Sequence, residues 1–218
     1  MTGASNLAAQ SCARIGAGLV NVLSTKHNAN LYKSILPPHI IVRDNMNWFD
    51  ERITARLYGS GGLGTDINFT KNIPTILDAD ALQPELLTDI PSPERLVLTP
   101  HAGEYQRISQ GVDPQTFAEK NPSVLVLKGT HTRVFQADQW YHCLGGSTVL
   151  ARGGSGDLLA GIIGSLLASG NHSSLESALL GVTWHGRAAE VLARQNGQLS
   201  VYVTDLLDNL SFAVRNDF

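Results

Sequence analysis

Short apolar runs, each closing on a polar or glycine-rich turn, restrict this chain to few architectures. Ile40–Val42, Ala55–Tyr58, Pro74–Leu77, Leu96–Leu98 and Val124–Leu127 are too short for helices and are bounded by turn residues. Such runs read as strands buried on both faces of a sheet. Helical patterns separate or follow them. Ala4–Ile15 sets Leu7, Ala8, Cys12 and Ile15 on one side, and Gly16-Ala17-Gly18 stops it before a strand at Leu19–Leu23. Further helices are predicted from Ala102 to Gln110, Leu175 to Gln195 and Asp205 to Val214, and a hairpin at Thr132–Phe135 and Trp140–Cys143. The order implies an α/β fold with a mostly parallel central sheet and helices on both faces.

In sheets of this kind ligands gather at the carboxyl ends of the strands. Those ends carry the polar residues here: Gly59–Gly64, Asp78 and Asp80, Thr99 and His101, and Lys128 to Thr132. The stretch Gly153-Gly154-Ser155-Gly156-Asp157 adds to them and opens an apolar helix. In that helix Leu158, Leu159, Ile162, Ile163, Leu166 and Leu167 recur at intervals of three and four, which lays them on one face. Its N-terminal amides and dipole suit a phosphate or an oxyanion. Asp157 cannot bind phosphate itself, so it either caps the helix or acts as a general base on a hydroxyl beside the phosphates.

The other candidates also carry two readings. His101 follows a Thr-Pro turn and is either functional or structural. Lys128 faces phosphate or solvent, and Thr130 and Thr132 bind phosphate or close a turn. Asp78 and Asp80 hold Mg²⁺ through water or bond backbone at the strand end. His185 lies inside a helical pattern and reads as packed or surface.

The 218 residues fit one domain, 1–218, of 43% hydrophobic and 16% charged residues. A net charge of −3 gives no support for nucleic-acid or anionic-membrane binding. Cys12 and Cys143, without a Cys/His cluster, read as reduced thiols in a cytoplasmic protein. No apolar run approaches the ~20 residues of a membrane span, and nothing near Met1 reads as a leader.

Taken in order, these pieces resemble the ADP- or ATP-dependent NAD(P)H-hydrate dehydratases of the ribokinase-like superfamily. The resemblance rests on Gly16–Val20, Leu77-Asp78-Ala79-Asp80-Ala81-Leu82, Leu98-Thr99-Pro100-His101-Ala102-Gly103-Glu104, Val126–Thr132, Gly153–Gly164, His185-Gly186 and Thr204-Asp205-Leu206. Related vitamin kinases usually carry Thr-Pro-Asn at the turn, so His101 points to the dehydratase. The resemblance implies repair of NADH and NADPH that have taken up water on the nicotinamide ring. The nucleotide, ADP or ATP with Mg²⁺, phosphorylates the ring hydroxyl, and phosphate then leaves to restore the double bond. Asp157 matches the family's base, and Gly153–Gly156 its phosphoryl-stabilising turn. Lys128, Gly129, Thr130, His131, Thr132 and Gly156 match its adenine-nucleotide contacts. Ala4, Gly62, His101 and Asp157 match its contacts to the hydrated dinucleotide. Relatives of this kind often form symmetric homo-oligomers.

The departures are specific. The family usually has a first strand and a glycine-rich turn ahead of the position matched by Gly3-Ala4, so the sheet is expected without that strand. Gly59–Gly64 has one residue more than the usual Gly-Pro-Gly-Leu-Gly. Ala102, Gln83, Ser147 and Val149 replace the usual Pro, Asn, Asn and Gly. A vitamin-alcohol kinase and a non-catalytic nucleotide-binding remnant are the competing readings.

Overall fold

The computed structural model describes residues 1–62, 67, 69, 70 and 72–215. In chain order the elements are α1 (Thr2–Ile15), β1 (Val20–Leu23), α2 (Lys26–Ile35), β2 (Ile40–Arg43), β3 (Arg56–Tyr58), β4 (Thr75–Leu77) and β5 (Leu96–Leu98). They continue with α3 (Ala102–Ser109), α4 (Pro114–Lys120), β6 (Val124–Leu127), β7 (Thr132–Gln136), β8 (Gln139–Cys143), α5 (Ser155–Ser169), α6 (Ser174–Asn196) and α7 (Asp205–Arg215). Part of the glycine-rich run, Leu63 to Asp66, lies outside the described residues.

The larger sheet runs β3-β4-β5-β6-β7-β8. Its first four strands are parallel, with Leu57 opposite Ile76, Ile76 opposite Val97 and Val97 opposite Val124. β7 and β8 join antiparallel as the predicted hairpin. β1 and β2 form a separate parallel pair, with Val20 opposite Ile40.

Successive residues of a strand point to opposite faces, and both faces are covered. Leu77, Leu98 and Leu125 point to α3 and α4, where Tyr105, Ile108, Phe117 and Ala118 meet them. Ile76, Val97, Val124 and Val126 point the other way, onto Leu159, Ile163 and Leu167 of α5 and Ala178 and Val182 of α6. Burial of each such side chain contributes about 1.5–3 kcal/mol. That is why the strands read as unbroken apolar runs rather than alternating ones.

The single apolar face expected for α5 is corrected. Leu159, Ile163 and Leu167 do face the sheet, but Leu158, Ile162 and Leu166 point into another core with Ala188, Ala189, Leu192, Leu206 and Leu210 of α6 and α7. A third side meets α1. A side chain at Gly161 would overlap the Ala8 carbonyl and the Ser11 hydroxyl, and Ser11 Oγ donates to Leu158 O at 2.9 Å. α5 is thus an enclosed helix whose small residues admit α1. It ends where Gly170 turns left-handed (φ 69°), and α6 begins on a capping box of Ser173 and Glu176. Among the described residues no helix is long and apolar enough to cross a membrane.

Candidate active site

The parallel ladder continues past the strands and sets the polar residues side by side. Asp78 N–H donates to Tyr58 O at 3.0 Å, Thr99 N–H to Leu77 O at 3.1 Å and Lys128 N–H to Pro100 O at 2.8 Å. After β3 the chain turns back at Gly59–Gly62, where Gly62 N–H donates to Gly59 O at 3.0 Å. Gly59 adopts φ 103°, and any side chain there would overlap the Asp78 carbonyl. The Ser60 carbonyl accepts from Ser5 Oγ at 2.7 Å, and Tyr32 Oη donates to the same Ser5 at 3.1 Å. That bond brings the turn of α1 that carries Ala4 to the loop that carries Gly62.

A buried charge network lies beneath this edge. The Asp78 side chain is 3% exposed. Its Oδ1 accepts from Lys128 Nζ at 2.8 Å and Thr99 Oγ1 at 2.8 Å, and its Oδ2 from Ser60 Oγ at 3.1 Å. Lys128 Nζ also lies 3.9 Å from Glu104 Oε2. Lys128 therefore faces neither bulk solvent nor an open phosphate pocket alone: it is half-enclosed and paired. Asp78 bonds these side chains rather than the strand-end backbone expected as one of its two readings. Asp80 stands apart, exposed, with Ala79 before it at φ 46°. Arg107 braces that turn by donating to Ala79 O at 3.2 Å and to Leu82 O at 3.0 Å. Among the described residues no group of three or more His, Cys, Asp or Glu is placed to hold a metal.

Asp157 sits in the first turn of α5, over this network. The helix starts from Gly154 (φ 93°) with no side-chain cap, so Asp157 is not the capping residue. Burial pushes its carboxyl above the usual carboxylate range, and the negative charge of Asp78 adds to the rise. A hydrogen bond from Ser60 and the charge of Lys128 act in the opposite direction. The Ser60 hydroxyl thus touches both carboxyl groups. Lys128 Nζ rests 3.1 Å from where a side chain at Gly156 would begin. A basic carboxyl, an ammonium group and the amide end of a helix therefore meet at one point, an arrangement suited to drawing a proton from a hydroxyl beside a phosphoryl group.

His101 caps α3. Its Nδ1 accepts from Gly103 N at 3.0 Å and Glu104 N at 3.2 Å, and Glu104 Oε2 accepts from His101 N at 2.8 Å. Nε2 therefore carries the ring proton, 3.4 Å from Glu104 Oε1, on a side chain that is 61% exposed at the site edge. The structural reading of His101 holds, and its outer nitrogen stays accessible. Beyond Lys128, Gly129 to Thr132 forms the turn into β7; Thr130 and His131 are exposed, and the His131 ring meets His142 edge-on at 5.4 Å. His185 is packed: its Nε2 lies 3.2 Å from Ser155 Oγ, and burial holds the ring neutral, down to about 4.

Sequence reasoning did not find Ser60, Thr99 as a partner of Asp78, or Ser155 as a partner of His185. Ser60 had no signal, since a serine among glycines is ordinary turn composition.

A family model described as NAD(P)H-hydrate dehydratase matches residues 1–211. The bifunctional NAD(P)H-hydrate repair enzyme of Coxiella burnetii is 33% identical over 98% of this chain and 48% of its own length. The chain thus spans about half the length of the bifunctional relatives it matches. The ADP-dependent (S)-NAD(P)H-hydrate dehydratase of Lactococcus lactis is 31% identical over 88% of this chain and 78% of its own length. The crystal structure of the ADP/ATP-dependent NAD(P)H-hydrate dehydratase of Bacillus subtilis, co-crystallised with ATP/Mg²⁺ and soaked with CoA, superimposes with a TM-score of 0.86. It is 26% identical, over 99% of this chain and 87% of that one. The fold is the ribokinase-like one, and the chain belongs to the NAD(P)H-hydrate dehydratase family.

Proposed function

We propose that this chain dehydrates hydrated NADH and NADPH with ADP or ATP as phosphate donor, working as one domain over residues 1–218. The observation that carries the reading is Asp157. It is a carboxyl of raised proton affinity in the first turn of α5, beside Lys128, in a chain of this family. Asp157 takes the proton of the ring hydroxyl, and the hydroxyl oxygen forms a bond to the donor's terminal phosphorus as the bridging bond to the shortened nucleotide breaks. The Gly153–Gly156 amides and Lys128 stabilise the charge on the transferring group. Phosphate then leaves with the bonding electrons and a neighbouring proton is lost, which restores the double bond.

Lys128, Gly129, Thr130, His131, Thr132 and Gly156 hold the nucleotide in this reading, and Ala4, Gly62, His101 and Asp157 hold the dinucleotide. Mg²⁺ enters with the phosphates and its retained waters, which needs few protein carboxylates. The free thiols of Cys12 and Cys143 fit a reducing, cytoplasmic setting, and a homo-oligomer is the expected assembly.

The test is a coupled assay. Purified protein, Mg²⁺, hydrated NADH and either ADP or ATP are mixed, and the near-ultraviolet absorbance of the reduced nicotinamide is followed. Recovery of that absorbance by the wild type and its loss in Asp157→Ala support the proposal. Equal behaviour of the two folded proteins rejects it.

A further inference from the structure

His101 and Glu104 set a hydrogen-bond donor and an acceptor side by side at the edge of the site. The His101 ring is held in one pose. Its Nδ1 accepts from Gly103 N at 3.0 Å and Glu104 N at 3.2 Å, so Nδ1 carries no proton, and turning the ring over would set a carbon against both amides. Gly103 permits the pose: a side chain there would begin 3.1 Å from His101 Cε1 and 3.4 Å from Nδ1. The outer Nε2–H is therefore a fixed donor. Glu104 is held as closely. Its Oε2 accepts from His101 N at 2.8 Å and closes the capping box, which leaves Oε1 beside the ring, 3.4 Å from Nε2. The pair adjoins the proposed reaction centre through Lys128, whose Nζ lies 3.9 Å from Glu104 Oε2 and 3.1 Å from where a side chain at Gly156 would begin.

A donor and an acceptor so close together fit a group that offers an acceptor and an N–H at neighbouring positions. They do not fit a phosphate. A phosphate oxygen taken by Nε2–H would stand against the Glu104 carboxylate, and like charges at that range repel. A carboxylate is disfavoured in the same way. We propose that His101 Nε2–H and Glu104 Oε1 together read the carboxamide of the hydrated nicotinamide ring. Nε2–H donates to the carboxamide oxygen, and the carboxamide N–H donates to Glu104. Glu104 is thus a specificity residue as well as half of a helix cap. The ring is held by its carboxamide, which leaves the hydroxyl free to meet Asp157, and a ring that carries a carboxylate there is rejected. This selection rests on the reaction proposed above, and its test separates the two.

Glutamine at position 104 keeps the capping box, with its carbonyl oxygen taking the His101 N–H, and so turns its own N–H groups towards the ring. Donor and acceptor become two donors, which suit a carboxylate. The test measures kcat/KM, with ADP and Mg²⁺, for hydrated NADH and for its hydrated nicotinic acid analogue, in which a carboxylate replaces the carboxamide. The wild type prefers the carboxamide by about a hundredfold or more. Glu104→Gln lowers that ratio by roughly tenfold, gaining on the carboxylate while losing on the carboxamide. Loss of a helix cap alone would lower both together. A wild type without preference, or an unchanged ratio in the folded variant, overturns the proposal. Should Glu104→Gln not fold, the hydrated 3-acetylpyridine analogue serves with the wild type. It keeps the carbonyl but lacks the N–H, and its Kd must rise by roughly tenfold; an equal Kd overturns the proposal. Adenine offers the same acceptor and N–H on one edge, so IDP is run beside ADP. A Glu104→Gln effect on the choice of purine, rather than on the choice of ring, also overturns it. Titration calorimetry with both hydrated dinucleotides completes the set. Discrimination in binding without turnover keeps the carboxamide reading and removes the dehydratase one. Turnover without discrimination does the reverse. A wild type that binds neither dinucleotide overturns both.

Discussion

Ser155 Oγ and His185 Nε2 lie 3.2 Å apart, both side chains buried, and tie the first residue of α5 to the middle of α6. Ser155 stands directly before Gly156 and Asp157, so this bond helps to fix the turn on which the proposed base is mounted. Burial chiefly, and the charge of Lys128 next, lower the His185 pKa to about 4 from 6.5. The sign follows from linkage. Below about 6.5 the unfolded chain binds a proton at this ring and the folded chain does not, so stability falls as pH drops from about 6.5 to about 4. The loss is on the order of 3 kcal/mol. His185→Gln, which keeps a hydrogen-bonding side chain but cannot titrate, should flatten the denaturant midpoint across that window. An unchanged pH slope in the variant means that other groups set the acid sensitivity.

Asp157 carries the opposite cost. Its carboxyl is raised by burial first and by Asp78 second, so the folded state binds its proton more tightly than the unfolded chain does. The stability it contributes is complete at acid pH, below the ordinary Asp range, and is lost as pH rises through its folded value. Above the ordinary Asp range the buried carboxyl therefore opposes folding. Asp157→Asn should raise the melting temperature at neutral pH while abolishing turnover, with the stabilisation fading towards acid pH. A lower melting temperature at neutral pH would show that the carboxylate is better solvated than its surroundings imply.

Much of the architecture was legible because it rests on local patterns. The strands of the larger sheet stood out since both faces of Ile76-Leu77, Val97-Leu98 and Val124-Leu125 are buried, which leaves no polar interruption. α2 and α4 were not seen: α2 is polar and α4 is short, although Asp113 before Pro114 was a capping signal, with Asp113 Oδ1 accepting from Thr116 N at 3.1 Å. The apolar stripe of α5 was legible as periodic but not as enclosing, because its third neighbour, α1, meets it through the small side of Gly161. The site divides in the same way. Asp78, His101, Lys128 and Asp157 were visible one by one, as polar residues at the ends of strands or opening a helix. Their pairing was not, because Asp78 and Lys128 are joined only when the ladder brings β4 and β6 to either side of β5.

Gly156 decides how close Lys128 can come to α5. A side chain there would begin 3.1 Å from Lys128 Nζ and 3.7 Å from its Cδ. The lysine end can shift, so the fold should tolerate Gly156→Ala. Alanine favours helix by about 0.5–1 kcal/mol over glycine, which offsets the crowding. The displaced ammonium should instead weaken nucleotide use, with the KM for ADP up about tenfold, the ~1.4 kcal/mol expected of one misplaced charged contact. Steady-state kinetics beside thermal melts check this. A melting temperature that falls with KM unchanged would place the crowding in the helix rather than at Lys128.

Gly161 tests whether α1 belongs to the site through the core. A methyl group there would overlap the Ala8 carbonyl and the Ser11 hydroxyl, and neither can swing away: one is helix backbone, and the other bonds both Ala8 O at 3.0 Å and Leu158 O at 2.9 Å. Gly161→Ala should therefore push α1 off α5 at a cost of about 3 kcal/mol, the upper end for overpacking. The effect should reach the site, because Ser5 on α1 holds the Ser60 carbonyl at 2.7 Å and Ser60 in turn touches Asp78 and Asp157. Hydrogen exchange should show α1 losing protection before the amides of β4, β5 and β6 do. Turnover should fall further than the folded fraction does, since the Ser60 hydroxyl loses its anchor while the sheet persists. Uniform loss of protection across α1 and the sheet would instead mean that α1 is part of one cooperative core.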